Sequence, residues 1–221
     1  MSDRARHILM NFLAKVRKKF AMETVSSFTL RNLYVSSFTE LLQRYDVKNA
    51  VERTFIWGFE MGHEYMLELK KDVEKLKPRT DAPAIARMAW YIFSGRNLSG
   101  VDAKWVSIGD GRAFVVRFWD TDCPWCRNVD LTEKNIKMCA YPAGGYEGAY
   151  QTASFLMGLN NFVMVREIKC IAAGDDRCEF VILDIPSEFI DDVIPKVEEV
   201  VPGFYSQLDY NFSREIREKV L

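Results

Sequence analysis

The chain has 221 residues, with 30 basic and 31 acidic side chains, five cysteines and two histidines. Domains contain about 100–200 residues, so this length fits one large domain or one domain with appendages. The balanced charge argues against direct nucleic-acid binding, since neutralising phosphates requires a basic excess on some face of the protein.

Neither a membrane span nor a secretory signal is expected. No run of about 18 apolar residues occurs, and charged residues interrupt the apolar positions of the N-terminal segment, which has no small-residue cleavage site. We therefore expect a cytoplasmic protein. In a reducing compartment, the five cysteines are expected to be free, metal-bound or redox-active rather than paired in structural disulfides.

The chain begins with a segment that has the pattern of a basic amphipathic helix. Apolar residues recur along one stripe between Ile8 and Phe20, and lysines and arginines occupy most of the remaining surface. Two interpretations stay open. The helix contacts a membrane surface or a partner, or it packs on the domain or across a dimer like an ordinary N-terminal helix.

Three more helices are predicted over residues 30–44, 49–76 and about 81–95. Gly58 and Gly62 lie four residues apart on one face of the helix predicted over residues 49–76. Because glycine lowers helix stability relative to alanine, we expect another helix or a ligand to approach that backbone closely.

Strand patterns replace helical patterns after residue 100. Two apolar segments flank Gly109, Asp110 and Gly111, a combination typical of a tight hairpin turn. A second pair of strands flanks a turn at residues 173–176. A helix over about residues 146–156 is predicted between the two pairs.

These elements predict an α+β domain in which helices pack on one face of a small antiparallel sheet. We divide the chain into a helical N-terminal half (1–100), a strand-rich region (101–185) and a C-terminal helical appendage (186–221). All three parts are expected to belong to one domain or to extend it.

Three cysteines and one glutamate are candidate metal ligands. Cys170 and Cys178 flank the last turn, Glu167 precedes Cys170 by three residues, and Cys139 is the next thiol outside a C-x-x-C pair. Thiolates and a carboxylate are accepted zinc ligands. Since side chains alternate along a strand, Glu167 and Cys170 converge only if a bulge or the strand end re-aims one of them. On spacing alone, unrelated buried cysteines explain the pattern as well.

Cys123 and Cys126 form the C-x-x-C pair, directly after the second predicted strand. Arg127 could lower the pKa of one thiol, as in dithiol redox centres, but the surroundings differ from the βαβ context of thioredoxin. Two further interpretations stay open. The pair is half of a second metal or iron–sulfur site that borrows Cys139 or ligands from another subunit, or it is an inert loop.

Four short motifs follow one another between Cys139 and Val181. They are Gly145-Tyr146-Glu147-Gly148, Arg166-Glu167-Ile168-Lys169-Cys170, Ala173-Gly174-Asp175-Asp176 and Cys178-Glu179-Phe180. In this order they resemble the 4-vinyl-reductase domain. That family includes a bacteriochlorophyll-biosynthesis protein, aromatic-sensing domains of phenol- and xylene-responsive transcription activators, and archaeal proteins known as predicted hydrocarbon-binding proteins. The fold is more distantly similar to core subunits of the TRAPP vesicle-tethering complex, which implies a TRAPP-core-like ligand-binding fold.

The resemblance implies a zinc site formed by Cys139, Glu167, Cys170 and Cys178. Such a site would be structural, since four protein ligands fill the tetrahedron and leave no open position for a reacting water. The segment between Cys139 and Glu167 is a few residues longer than in the aromatic sensors. The family motif does not include the C-x-x-C pair.

The resemblance also implies a buried ligand cavity beside the strand that leads to the first zinc cysteine. A mostly apolar cavity with a few polar groups is the usual site for a small molecule. The candidate lining residues are Trp57, His63, Trp90, Phe118, Trp119 and Tyr146. Membership of the hydrophobic core is the competing explanation for most of these side chains.

We therefore expect a cytoplasmic binding or sensory module for a hydrophobic or aromatic small molecule, with a structural zinc and a homodimeric assembly. One alternative is an enzyme or accessory protein in tetrapyrrole vinyl reduction or dithiol redox chemistry, although the sequence has no dinucleotide-binding fingerprint. The other is a dimeric interaction scaffold, which rests on fold analogy alone. The sequence favours a binding protein over an enzyme.

Overall fold

The computed structural model describes residues 27–73 and 78–220. The predicted basic helix near the N-terminus lies outside the described residues. The helical half comprises α1 (Ser27–Arg44), α2 (Val47–Glu68), α3 (Lys70–Val73) and α4 (Pro78–Ser94). The strand-rich region comprises β1 (Gly100–Ile108), β2 (Gly111–Asp120), α5 (Ala140–Leu156), β3 (Asn161–Lys169) and β4 (Cys178–Pro186). The C-terminal helices are α6 (Ile190–Val193), α7 (Val197–Val200) and α8 (Tyr210–Val220).

The four strands form one antiparallel sheet in the order β1-β2-β4-β3. The hairpin predicted at Gly109 and Asp110 joins β1 to β2, and Gly109 adopts a positive φ of 60°. Helices surround this sheet, so the predicted α+β class is confirmed.

Side chains of the sheet alternate between two apolar layers. On β2, Phe114, Val116 and Phe118 point toward the long helices, whereas Ala113 and Val115 face the opposite layer. The opposite layer also contains side chains in or directly after the short C-terminal helices, namely Val193, Val197 and Val201. The predicted helical layer on one face of the sheet is therefore joined by a second, smaller layer on the other face.

Helices α2 and α5 pack backbone against backbone. A Cβ atom added to Gly62 would lie 2.1 Å from the carbonyl oxygen of Gly145, and one added to Gly58 would lie equally close to the carbonyl oxygen of Tyr141. Real Cβ atoms do not approach oxygen this closely, so each position requires glycine. The close approach expected from the glycine spacing in α2 is confirmed.

Helix α5 begins at Ala140, earlier than predicted. Its first turns contain Pro142, Gly144 and Gly145. Proline is tolerated in the first turn of a helix, but the two glycines lower the helix propensity of this segment. Contact with α2 stabilises these turns, since packing of a helix face outweighs intrinsic propensity. The long helix predicted over residues 49–76 stops at Glu68 instead, and the short α3 follows.

The C-terminal segment is held to the domain by a buried arginine. The guanidinium of Arg166 on β3 donates to the carbonyl oxygens of Leu208 and Asp209, both at 2.9 Å, and to Oγ of Ser213 at 2.7 Å. It also pairs with Glu147 of α5 at 2.9 Å, and both side chains are almost fully buried. The start of α8 is thus fixed to the sheet by one side chain.

Among residues 27–73 and 78–220, no helix has both the length and the apolar character that crossing a bilayer requires.

Candidate metal centre

Five buried cysteines and one buried glutamate meet where β2, α5, β3 and β4 come together. Cys123 and Cys126 lie in the loop that follows β2, and Cys139 is the residue preceding α5. Glu167 lies near the end of β3, and Cys170 directly follows that strand. The sixth residue, Cys178, is the first residue of β4.

The sulfur atoms lie within contact distance of one another. Sγ of Cys126 is 3.4 Å from Sγ of Cys139, 3.5 Å from that of Cys170 and 3.4 Å from that of Cys178. Sγ of Cys139 and Sγ of Cys178 are 4.0 Å apart. Together with a carboxylate oxygen of Glu167, these four sulfurs form a group whose members all lie within 4.8 Å of each other.

A β-bulge brings Glu167 and Cys170 to the same side of the strand. The pairing of β3 with β4 is regular up to Glu167, which lies opposite Phe180, and slips by one residue before Lys169. The extra residue, Ile168, reverses the alternation of side chains at this point. The condition set by the sequence, that a bulge must re-aim one of the two residues, is met.

Backbone amides point toward the cluster and toward the carboxylate. The N–H of Met138 donates to Sγ of Cys170 at 3.2 Å, and the N–H of Ile171 donates to Sγ of Cys178 at 3.4 Å. The N–H of Cys139 donates to Oε2 of Glu167 at 2.8 Å. Hydrogen bonds of this kind stabilise the deprotonated thiolate and carboxylate forms.

Without a cation, so many acidic groups cannot ionise together in a buried position. Burial raises the pKa of the Cys139 thiol, and it also raises the pKa of the Glu167 carboxyl, with the neighbouring Cys170 adding to the effect. A divalent ion among the sulfurs reverses this preference, because it stabilises each thiolate directly.

The residues present fit zinc. Zinc is held at structural sites by four tetrahedral ligands, predominantly thiolates, and at least three thiols and either a fourth thiol or a carboxylate are available. Oε1 of Glu167 is buried and has no hydrogen-bond partner among the described residues. Buried polar atoms are normally paired, so this oxygen favours a cation within the thiol group, whose charge would stabilise the nearby carboxylate.

Sequence reasoning missed the place of Cys126. The sequence links the C-x-x-C pair to the other ligands only in the alternative of a second metal site that borrows Cys139, whereas the structure brings Cys126 into the group itself and places Cys123 3.7 Å from Cys139. The pairing of β2 with β4 puts Asp120 opposite Cys178. The loop that follows β2 therefore has to start beside the first residue of β4, a relationship that depends on the strand order.

Three of the predicted pocket residues come together between the helices and the sheet. The ring centroids of Phe118 and Tyr146 are 4.6 Å apart, those of Phe118 and Phe180 are 5.0 Å apart, and Trp90 lies 5.6 Å from Phe180. We call these four side chains, with Tyr150 of the same apolar layer, the aromatic cluster.

The polar atoms of the aromatic cluster differ in their partners. Nε1 of Trp90 donates to the buried carboxylate of Asp120 at 2.9 Å, and the hydroxyl of Tyr146 donates to the carbonyl oxygen of Ala86 at 2.8 Å. The hydroxyl of Tyr150 is buried and has no hydrogen-bond partner in the part of the chain that the structure describes. Burial raises the pKa of Tyr150, so the hydroxyl stays protonated.

The other three predicted pocket residues lie apart from this cluster. Trp57 on α2 is 44% exposed, and Nδ1 of the partly buried His63 lies 2.9 Å from Oγ1 of Thr152. Trp119 is half-buried on β2, where its ring covers Gly100. A cavity of about 20 Å³, lined among others by Val51, Val165 and Glu167, lies near the thiols. It has room for roughly one water molecule.

The fold is similar to that of proteins with solved structures. The phenol-responsive sensory domain of the transcription activator PoxR, described with phenol, matches with a TM-score of 0.50 and 19% identity, over 83% of this chain and 92% of that chain. At this identity the similarity establishes a shared fold.

Two further structures are similar over most of their length. One is subunit 3 of the trafficking protein particle complex from Naegleria fowleri, covalently bound to palmitic acid, with 19% identity over 72% of this chain and 94% of that chain and a TM-score of 0.49. The other is a vinyl-4-reductase family protein from Methanocaldococcus jannaschii, with 15% identity over 80% and 95% and a TM-score of 0.37. No protein-family model and no curated protein matches the sequence. The structural neighbours thus include the three groups that the sequence resembles.

Proposed function

We propose that this protein binds a hydrophobic or aromatic small molecule at the aromatic cluster, and that a structural zinc ion in the thiol group fixes the adjoining end of the sheet. The observation that carries the proposal is the buried group of four thiols and one carboxylate, set in the fold of a domain that is described with phenol. The resemblance implies this fold, and it implies four members of the group as ligands, namely Cys139, Glu167, Cys170 and Cys178.

The aromatic cluster offers the chemistry of a small-molecule site. It consists of apolar rings, and the hydroxyl of Tyr150 supplies one polar atom that has no partner among the described residues. Such combinations of apolar surface and a few polar groups are typical of ligand sites. Because the ring of Phe118 packs against those of Tyr146 and Phe180, a ligand of the size of phenol binds here by displacing at least one ring.

The zinc ion has a structural role in this proposal. Cys139, Cys170 and Cys178 supply three thiolates, and Glu167 is the fourth ligand that the resemblance implies. When bound, zinc supplies positive charge and fixed geometry. The protein residues then hold the start of α5, the end of β3 and the start of β4 at one point. Since Phe180 lies two residues after Cys178, this anchor also positions one ring of the aromatic cluster.

A dithiol redox enzyme is less well supported. Cys123 and Cys126 are each only 1% exposed, whereas reactive cysteines need partial exposure to meet a substrate. Tetrapyrrole vinyl reduction would need an electron donor that the sequence does not identify. We therefore retain binding as the proposed function.

The experiment uses the purified full chain. Elemental analysis is expected to find one zinc per chain, and calorimetry with phenol, toluene and naphthalene is expected to show saturable binding of at least one compound. The matched control is Trp57→Ala, which removes an exposed ring outside the aromatic cluster and should leave binding unchanged, whereas Phe118→Leu should alter it. Absence of binding to every compound, with no apolar molecule retained in native mass spectrometry, would overturn the ligand proposal.

The homodimer remains a prediction. Light scattering after size-exclusion chromatography measures the assembly directly, and a mass close to that of one chain at all concentrations would contradict it. Retention of the protein in the cytoplasm is likewise an expectation of the sequence, checked by fractionation of cells that produce it.

A further inference from the structure

One thiol is central to the sulfur group, and it is a cysteine that the family motif lacks. Sγ of Cys126 lies 3.4 to 3.5 Å from the sulfurs of Cys139, Cys170 and Cys178. With zinc–sulfur bonds of about 2.3 Å, sulfurs at the corners of a tetrahedron are ~3.8 Å apart. The distances from Cys126 are close to that value, so the four sulfurs already surround a volume that suits a single ion.

The approach of Cys126 is fixed by its loop. Nε of Arg31 on α1 donates to the carbonyl oxygen of Pro124 at 2.6 Å, and the same guanidinium donates to the carbonyl oxygen of Arg127. The N–H of Cys126 closes the C-x-x-C turn on the carbonyl oxygen of Cys123 at 3.2 Å. These contacts hold the loop between α1 and the sheet, so Cys126 is positioned by the fold.

Glu167 is less available as a ligand. Its Oε2 accepts the backbone N–H of Cys139 at 2.8 Å, so only Oε1 is free to bind a metal. Thiolate ligands suit zinc better than carboxylates do, and sets of four cysteines are a common form of structural zinc site. Sulfurs in direct contact also favour one ion over an iron–sulfur cluster, whose inorganic core separates its cysteine ligands.

We infer that Cys126, together with Cys139, Cys170 and Cys178, forms a four-cysteine zinc site, and that Glu167 is a positioning residue that orients Cys139 through its backbone amide. This assignment rests on the proposed zinc site and changes one of its ligands. Cys123 stays outside the coordination sphere, because it does not belong to the group whose donor atoms all lie within 4.8 Å of one another.

X-ray absorption at the zinc edge of the wild-type protein tests the assignment without any substitution. Four sulfur neighbours are expected at about 2.3 Å, whereas a site completed by Glu167 would show three sulfurs and one oxygen at about 2.0 to 2.2 Å. The second result would overturn the role of Cys126 and leave the zinc site of the proposed function intact. A wild-type protein that binds no zinc would overturn both.

Three variants give an independent readout through zinc affinity, measured by competition with a chromophoric chelator. Cys126→Ser is expected to weaken zinc binding by roughly 100-fold or more, and Glu167→Gln by about 10-fold, because a neutral amide oxygen accepts the N–H of Cys139 more weakly than a carboxylate does. Cys123→Ser is the matched control from the same buried turn and should weaken zinc binding by at most about 10-fold, the lower end of the effect of changes outside the coordination sphere. A large loss in Glu167→Gln with none in Cys126→Ser would reverse the assignment.

Cobalt substitution keeps the test informative if a variant folds poorly. Wild-type protein loaded with cobalt is expected to show the intense sulfur-to-metal charge-transfer absorption of four thiolates. The Glu167→Gln spectrum should match that of the wild type. A weaker, three-thiolate spectrum in the wild-type protein would contradict the inference.

Discussion

A Cβ atom on Gly148 of α5 would lie 2.1 Å from the carbonyl oxygen of Phe59 on α2. Gly144, one turn earlier, stands in the same relation to the carbonyl oxygen of Phe55. Two helices can approach this closely only where side chains are absent from both surfaces. The packing of α2 on α5 therefore depends on individual glycines rather than on a general excess of small residues.

The first prediction is that Gly148→Ala destabilises the protein. The added methyl group meets backbone atoms that cannot move aside independently, so we expect a loss of about 3 kcal/mol in the free energy of unfolding. Chemical denaturation measures the loss. Gly145→Ala is the matched control, because its Cβ meets chiefly the flexible end of Met61 at 3.1 Å. Equal stability losses in the two variants would contradict the proposed close packing.

A second prediction concerns the buried pair of Arg166 and Glu147. Arg166→Met leaves the Glu147 carboxylate without its charged partner and removes the hydrogen bonds to the start of α8. Breaking a buried pair on one side costs about 3–5 kcal/mol, and hydrogen exchange in α8 should accelerate. Arg214→Met removes an exposed pair with Glu218 and is expected to cost less than about 0.5 kcal/mol. Unchanged hydrogen exchange in α8 of the Arg166→Met variant would show that Arg166 does not hold this helix to the sheet.

The third prediction compares two tyrosines on one face of α5. Tyr146→Phe removes a hydroxyl that donates to Ala86, so it should cost about 1 kcal/mol of stability. Tyr150→Phe removes a buried hydroxyl that lacks a partner among the described residues, so it should leave stability unchanged or raise it by up to about 1 kcal/mol. Thermal denaturation of both variants distinguishes these outcomes.

The same tyrosine pair reports on ligand binding. If phenol binds with its hydroxyl against Tyr150, Tyr150→Phe should weaken the affinity for phenol but not for toluene, which has no hydroxyl. Calorimetry with both compounds provides the comparison. An equal effect on the two affinities would place the phenol hydroxyl elsewhere.

A fourth prediction is that zinc removal destabilises the protein and that zinc binding weakens as the pH falls. Burial raises the pKa of Cys139, and zinc has to displace the proton of each ligand thiol, so acid competes with the metal. Between about pH 8 and about pH 6, the apparent affinity should fall by at least ~10-fold per pH unit. Competition with a chelator measures the apparent zinc affinity at each pH. A zinc affinity that does not change with pH would exclude thiolate ligands.

Much of the fold could be predicted from local sequence patterns. The hairpin at Gly109 and the close approach at Gly62 follow from single residues with few alternatives. The start of α5 could not be predicted, because its glycines oppose a helix locally and only the surface of α2 compensates. The second apolar layer was missed for a similar reason, since the short helices α6 and α7 become apolar partners only once the sheet exists.

The candidate metal site likewise contains some residues whose position could be predicted from the sequence and others whose position could not. Cys170 and Cys178 flank one turn and are close in sequence, so their convergence could be predicted. Cys126 depends on the pairing of β2 with β4, which places Asp120 beside Cys178 across a long stretch of chain. Similarly, the separation of Trp57 from the aromatic cluster depends on which face of α2 packs against α5, and apolar spacing alone does not determine it.

The position of β4 has a consequence for the dynamics of the protein. This strand is hydrogen-bonded along both edges, to β2 and to β3, and all nine of its residues are buried. Its amides can exchange with solvent only when the sheet opens, so β4 should be the last part of the domain to exchange its hydrogens for deuterium. Cys178 begins this strand, and the thiol group is therefore attached to the slowest-opening segment of the molecule.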